Sequence, residues 1–266
     1  MKKNLMLFCL LTLITIGCGE NVFEGQEDKG TSEAERLEIS NKLDSGDYPA
    51  VLNDPNATAV EYGEAAMGLA GLDPVSLIQA MNDVAEDPNI TDNDLGPVTN
   101  LPINPDALDE LQAAKNKLSS EISSICTADP TSQQCKDLNF QMTILSLSST
   151  ITAFAQVGQT NVGGFDPTDG ISTTEATSLG NYIASNPTVQ ADANGDGTPD
   201  TGLATLIDGD VDNVVAALPN AALGADSDLN QVLTEATQGS GSINYDGTGD
   251  VTSTDISNYL KNVLGI

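Results

Sequence analysis

The chain has 266 residues and carries 9 basic against 39 acidic side chains, no histidine and no tryptophan, for a net charge of −30. Such a surface repels nucleic acid and anionic lipid headgroups, and it offers no cationic clamp for phosphate. The length accommodates two modest domains behind a leader.

The N-terminal stretch MKKNLMLFCLLTLITIGCGEN opens on Lys2 and Lys3 and continues as an apolar run from Leu5 to Ile16. That run has signal-peptide length and is too short for a permanent membrane helix. Gly17 and Cys18 close it, and a small residue followed by cysteine at this place resembles the lipobox of bacterial lipoproteins. The resemblance implies a signal peptide over 1–17, a covalent diacylglycerol on Cys18 and, with Gly19 rather than Asp in the next place, an outer-membrane anchor in the cell envelope. Thr15 stands where the lipobox ordinarily has Leu, which leaves open an ordinary signal peptide cut nearby. Residues 18–32 are polar and glycine-bearing and read as a flexible tether. Without Lys2 and Lys3 the mature chain has 7 basic against 39 acidic residues, net −32, and no Lys or Arg falls between Asp137 and Leu260. Self-repulsion of this kind weakens a compact state unless cations screen it, and adaptation to saline water gives the same composition.

Residues 33–95 read as short helices. A first helix leads to Gly46-Asp47-Tyr48 and a second stops near Pro55. In the next pair Ala59, Tyr62, Ala66 and Leu69 share a face, Gly71 ends the helix, and Asp73 caps a successor with Pro74 in its first turn. The Gly46-Asp47-Tyr48 turn with Ala50, and the small residues Ala65, Ala66 and Ala70, resemble a shortened tetratricopeptide pair over roughly 50 residues. That resemblance implies a surface for a protein partner. A plain helical hairpin satisfies the same pattern.

Pro97, Pro102 and Pro105 place a proline-rich linker at 96–106, with a second helical domain over 107–266. There Leu108, Leu111, Ala114, Leu118, Ile122 and Ile125 form one near-heptad stripe, and Phe140, Ile144, Leu147, Ile151 and Phe154 form another. Met142 and Leu145 lie off the second stripe, which predicts burial on more than one side. Cys126 and Cys135 sit between the two patterns. An even pair in an exported chain predicts a disulfide stapling an antiparallel hairpin at its turn. Short helices are expected further on, at Thr174–Ala184, Val211–Leu218, Asp226–Ala236 and Ser253–Leu264.

Between them lie acidic loops. In ADANGDGTPDTGL, counted from Asp192, Asn194 is third, Asp196 fifth, Gly197 sixth, the Thr198 carbonyl seventh and Asp200 ninth. This alternation resembles the calcium loops of EF-hands and thrombospondin type 3 repeats, which supply oxygens at those places around a glycine turn. The closing acid is missing at Leu203, and Asp208 to Asp212 are expected to supply it. A second loop sets Asn244, Asp246, Thr248, the Asp250 carbonyl, Thr252 and the closing Asp255 in the corresponding order. With the helix that follows, it looks like half of a dockerin. The phrase recurs 80 residues earlier, where Phe165, Asp166, Thr168, Ile171, Ser172 and Glu175 answer Tyr245, Asp246, Thr248, Val251, Thr252 and Asp255. Ser172 with Glu175, and Thr252 with Asp255, also fit helix capping boxes.

No catalytic constellation emerges. There is no histidine, no GxSxG and no glycine-rich phosphate loop with lysine, and the carboxylates lie in turns. The expectation is an all-α fold of helical hairpins followed by a helical domain with acidic EF-hand-like loops. It is that of a non-catalytic outer-membrane lipoprotein with a protein-interaction or scaffold role, calcium in its C-terminal domain and no small-molecule substrate. The alternatives are a dockerin-like adhesion or assembly module, and an accessory lipoprotein of a transport or secretion system.

Overall fold

The computed structural model describes residues 33–72, 74–79, 101–221, 243 and 249–262. The fold is all-α. Among the described residues the only strands are two of two residues each. The leader expected at 1–17, the tether expected at 18–32 with Cys18, and the helix expected at Asp226–Ala236 lie outside the described residues.

Helix α1 (Glu33–Asp44) turns at Gly46, whose φ of 74° suits glycine, into the short α2 (Tyr48–Leu52). Helix α3 (Ala59–Leu69) starts on a capping box, in which the Thr58 hydroxyl accepts from the Glu61 N–H at 3.2 Å and Glu61 accepts from the Thr58 N–H at 2.9 Å. One more helical stretch covers 74–79. Ile39, Val51 and Ala65 close a small core between these helices. The other face of α3, with Val60, Tyr62 and Met67, packs into the main core beside Leu108 and Leu111.

The linker expected at 96–106 is described from residue 101 onward. One apolar core runs from Val60 to Leu260, and residues 101–106 are fastened into it. The Ile103 N–H donates to the Pro167 carbonyl at 2.8 Å, and Asn104 donates to the carbonyls of Ala70 at 2.9 Å and Leu69 at 3.0 Å. Prolines leave this stretch few donors, and the donors that remain are used as anchors.

The long hairpin follows: α4 (Leu108–Ala128), a tight turn and α5 (Gln133–Asn161). In the turn Asp129 accepts from the Thr131 N–H, and Ser132 caps α5 by accepting from the Cys135 N–H at 3.2 Å. Cys126 and Cys135 are joined by a disulfide across it. Helix α5 is buried on nearly every side. Met142 and Leu145 are as buried as Ile144 and Phe154, because α3, α4, α6 and α7 all pack against it. Most of its buried polar positions are serine or threonine, with Asn139 and Gln141 the larger ones. Thr143 and Ser148 satisfy their hydroxyls on the carbonyls four residues back. Among the described residues the buried Thr152 hydroxyl has no hydrogen-bond partner. Thr152→Val should therefore raise the thermal midpoint, by about 1 kcal/mol of stability, because it removes an unsatisfied hydroxyl without opening a cavity.

Helix α6 (Thr173–Ser185) leads into the strands β1 (Gln190–Ala191) and β2 (Thr201–Gly202), which pair antiparallel and run directly into α7 (Leu203–Ala217). Helix α8 (Ser253–Asn262) packs along α6. The 80-residue repeat thus pairs with itself. Gly180 answers Leu260 in the repeat, and a Cβ on Gly180 would lie 3.3 Å from the Leu260 Cβ. The Ser257 hydroxyl donates to the Gly180 carbonyl at 2.8 Å.

Candidate functional site

Three acidic environments among the described residues bear on the site. The first is the loop from Ala191 to Leu203, held as a closed hairpin by β1 and β2. Gly195 and Gly197 take φ of 72° and 83°, which lets the chain fold back on itself twice. Both Asp192 carboxylate oxygens accept from the loop backbone, one from the Gly195 N–H at 2.9 Å and the other from the Gly197 N–H at 2.7 Å. Asn194 accepts from the Asp196 N–H and Asp196 from the Thr198 N–H. Asp200 returns to the start of the loop, accepting from the Ala193 N–H at 3.2 Å. Asn194, Asp196, Thr198 and Asp200 are exposed.

Two residues outside the motif position this loop. The Gln156 amide on α5 accepts from the Asp192 N–H at 2.8 Å and donates to the Asp192 carbonyl at 3.2 Å. Asp109, in the first turn of α4, approaches so closely that a Cβ on Gly195 would lie 2.3 Å from its Oδ2. The loop therefore sits at the N-terminal ends of both α4 and α7. Helix dipoles there favour negative charge and offset the crowding of carboxylates.

The residues expected to close the shell are placed differently. Asp208 accepts from the Val251 N–H at 2.7 Å, and Asp210 is buried against Lys115. Only Asp212 faces the cavity that Asn194 and Asp200 line. Among the described residues no three His, Cys, Asp or Glu side chains converge as a metal cage.

The second environment is the pair of capping boxes. Glu175 accepts from the Ser172 N–H and hydroxyl, and its other oxygen accepts from the Asp166 N–H at 2.8 Å. Asp255 is buried and accepts from the Thr252 N–H at 2.9 Å and from the Thr252 hydroxyl. Both closing acids of the repeat thus begin a helix. Asp250 is exposed, and Asn244, Asp246 and Thr248 lie outside the described residues. Burial alone raises the Glu175 carboxyl, but the Ser172 hydroxyl and the Asp166 and Ser172 N–H groups outweigh it and hold it below its ordinary 4.5. A depressed folded value stabilises the fold above the ordinary value, and this is lost as pH falls through the folded one. Glu175→Gln should cost about 1 kcal/mol at neutral pH and flatten the acid limb of a urea-unfolding series between pH 7 and pH 3.

The third environment is the buried pair Lys115–Asp210, which no motif announces. Lys115 on α4 donates to Asp210 on α7 and, at 3.1 Å, to the Ser149 hydroxyl on α5. The Thr150 hydroxyl donates to the second Asp210 oxygen at 3.2 Å, and Gln112 donates to Ser149 at 2.7 Å. Burial raises the Asp210 carboxyl, against the opposing pull of Lys115. A lysine at an otherwise apolar heptad register, on the stripe of Leu108, Leu111 and Leu118, is the one signal in the sequence that marks this pair.

No protein-family model, no curated protein and no solved structure matches this chain.

Proposed function

We propose that the chain is a non-catalytic, lipid-anchored protein of a bacterial outer membrane, which offers helical surfaces to a protein partner and clasps its acidic C-terminal half with calcium. The observation that carries the calcium reading is the loop at Asp192–Asp200. Its oxygens alternate at the places a calcium loop uses, its two glycines take the turns that loop requires, and Gln156 fixes it to the core. Asp192, Asn194, Asp196 and Asp200 would hold the ion, with the Thr198 carbonyl and Asp109 as the further oxygens in reach of the loop. Calcium would supply the positive charge that this end of the molecule lacks. The lipid reading rests on Gly17-Cys18 behind an apolar run. The partner reading rests on the alternation of α1, α2 and α3, which suits a tetratricopeptide-like pair.

A second reading is a dockerin-like assembly module. The packing of α6 on α8, with repeat-equivalent Gly180 and Leu260 in contact, favours it. Ser253 donates inward to the Pro187 carbonyl at 2.6 Å, so Thr254 and Thr174, both exposed, are the positions to vary.

The mature chain should gain thermal stability in millimolar calcium over chelator. Saturation at a hundred times the dissociation constant corresponds to about 2.7 kcal/mol. Asp192→Ala with Asp196→Ala should abolish the gain. An unchanged melting temperature in calcium would remove the calcium half of the proposal.

A further inference from the structure

Helices α4 and α7 both lie on α5 and scarcely touch each other. A groove of about 550 Å³ opens between them. Its floor is Met142 and Leu206, with the Lys115–Asp210 pair bridging the two walls. One wall is the α4 stripe Gln112, Asn116 and Ser119, and the other is the α7 stripe Thr205, Asp212 and Asn213. The acidic hairpin closes one end with Asn194 and Asp200.

The chemistry of this lining is narrow. The side chains of Asn116, Ser119, Thr205, Asp212 and Asn213 make no hydrogen bond within the described residues. Carboxamides present a donor and an acceptor side by side, which is what a peptide bond presents in return. The single cation in the lining, Lys115, is neutralised by Asp210. Asp200 and Asp212 then give the groove its sign, and they disfavour any anionic ligand. No aromatic ring lines it, so there is no platform on which a base or a sugar ring could stack. The apolar floor suits the methylene stem of a long side chain.

We propose that the groove between α4 and α7 binds a short extended peptide segment carrying lysine or arginine. Its backbone is read by the amides of Asn116 and Asn213, and its cation is held by Asp212. Calcium is not required for this.

Fluorescein-labelled hexapeptides with a central pair of lysines, a central pair of glutamates or no charge are titrated against the full mature chain at physiological salt. The lysine peptide should bind and the glutamate peptide should not. Asp212→Asn should weaken the lysine peptide by about tenfold, the size of one lost charge-assisted contact. Asn116→Ala should weaken it several-fold. Asp44→Asn, an exposed acid on α1 with the same charge change, should leave it unaltered. Equal weakening by Asp44→Asn and Asp212→Asn would mean diffuse attraction to an acidic surface and would overturn the proposal. Displacement by spermidine at the same concentration as by unlabelled peptide would overturn the peptide assignment, and no binding of the lysine peptide would overturn it entirely.

Discussion

Lys115→Met should be among the most damaging single substitutions in this protein, lowering the stability measured by urea unfolding by about 3–5 kcal/mol. Lys115 and Asp210 are 8% and 1% exposed, so removing the lysine strands a carboxylate in the core with the Thr150 and Ser149 hydroxyls as its remaining donors. The double variant Lys115→Met with Asp210→Leu should recover most of the loss, because the desolvated charge goes with its partner. The pH dependence has a definite sign. Burial raises the Asp210 carboxyl, and Lys115 is the main influence opposing it. With the lysine gone the folded value rises further above the unfolded one. The charged form is then penalised at high pH and relieved by protonation. The deficit of Lys115→Met should shrink as pH falls from 8 to 5, and a pH-independent deficit would count against an ionised Asp210.

Gly71→Ala should cost about 3 kcal/mol or more, against about 1 kcal/mol for Gly46→Ala. Both glycines take positive φ, 77° and 74°, so the backbone strain of an alanine is the same. The surroundings differ. A Cβ on Gly46 meets nothing within 4 Å, whereas one on Gly71 would lie 2.2 Å from the Pro102 carbonyl oxygen. Gly71 is where the end of α3 meets the segment that Asn104 fastens down. The difference between the two midpoints therefore measures how firmly the N-terminal helices are joined to the main core. Equal effects would mean that this junction gives way easily.

Local order was legible in the sequence where one segment decides its own structure. The Gly46 turn, the capping boxes at Ser172 and Thr252, and the helical hairpin around Cys126 and Cys135 all follow from neighbours a few residues apart. What escaped depends on contacts distant in sequence. The prolines near 102 read as a boundary, yet the chain there is held by the carbonyls of Leu69, Ala70 and Pro167. The sequence pattern places the helix at Val211–Leu218, so α7 is expected to begin at Val211. It begins at Leu203, and Asp210 lies inside it because Lys115, 95 positions away, gives that carboxylate a partner. The acidic run Asp208–Asp212 looked like one ligand group. As helical residues, its members point in different directions: Asp208 to the Val251 N–H, Asp210 to Lys115 and Asp212 to the groove. The loop at Asp192–Asp200 was legible as a tight glycine turn. Its supports, Gln156 and Asp109, carry no signature at all.

Calcium binding by this loop is tested most directly by native mass spectrometry of the chain, titrated with calcium up to millimolar free ion. The expected result is a bound ion that Asp192→Ala removes while Asp137→Asn, on the far side of the hairpin turn, retains it. A chain that stays metal-free through the titration, or one whose bound ion survives Asp192→Ala, would contradict it.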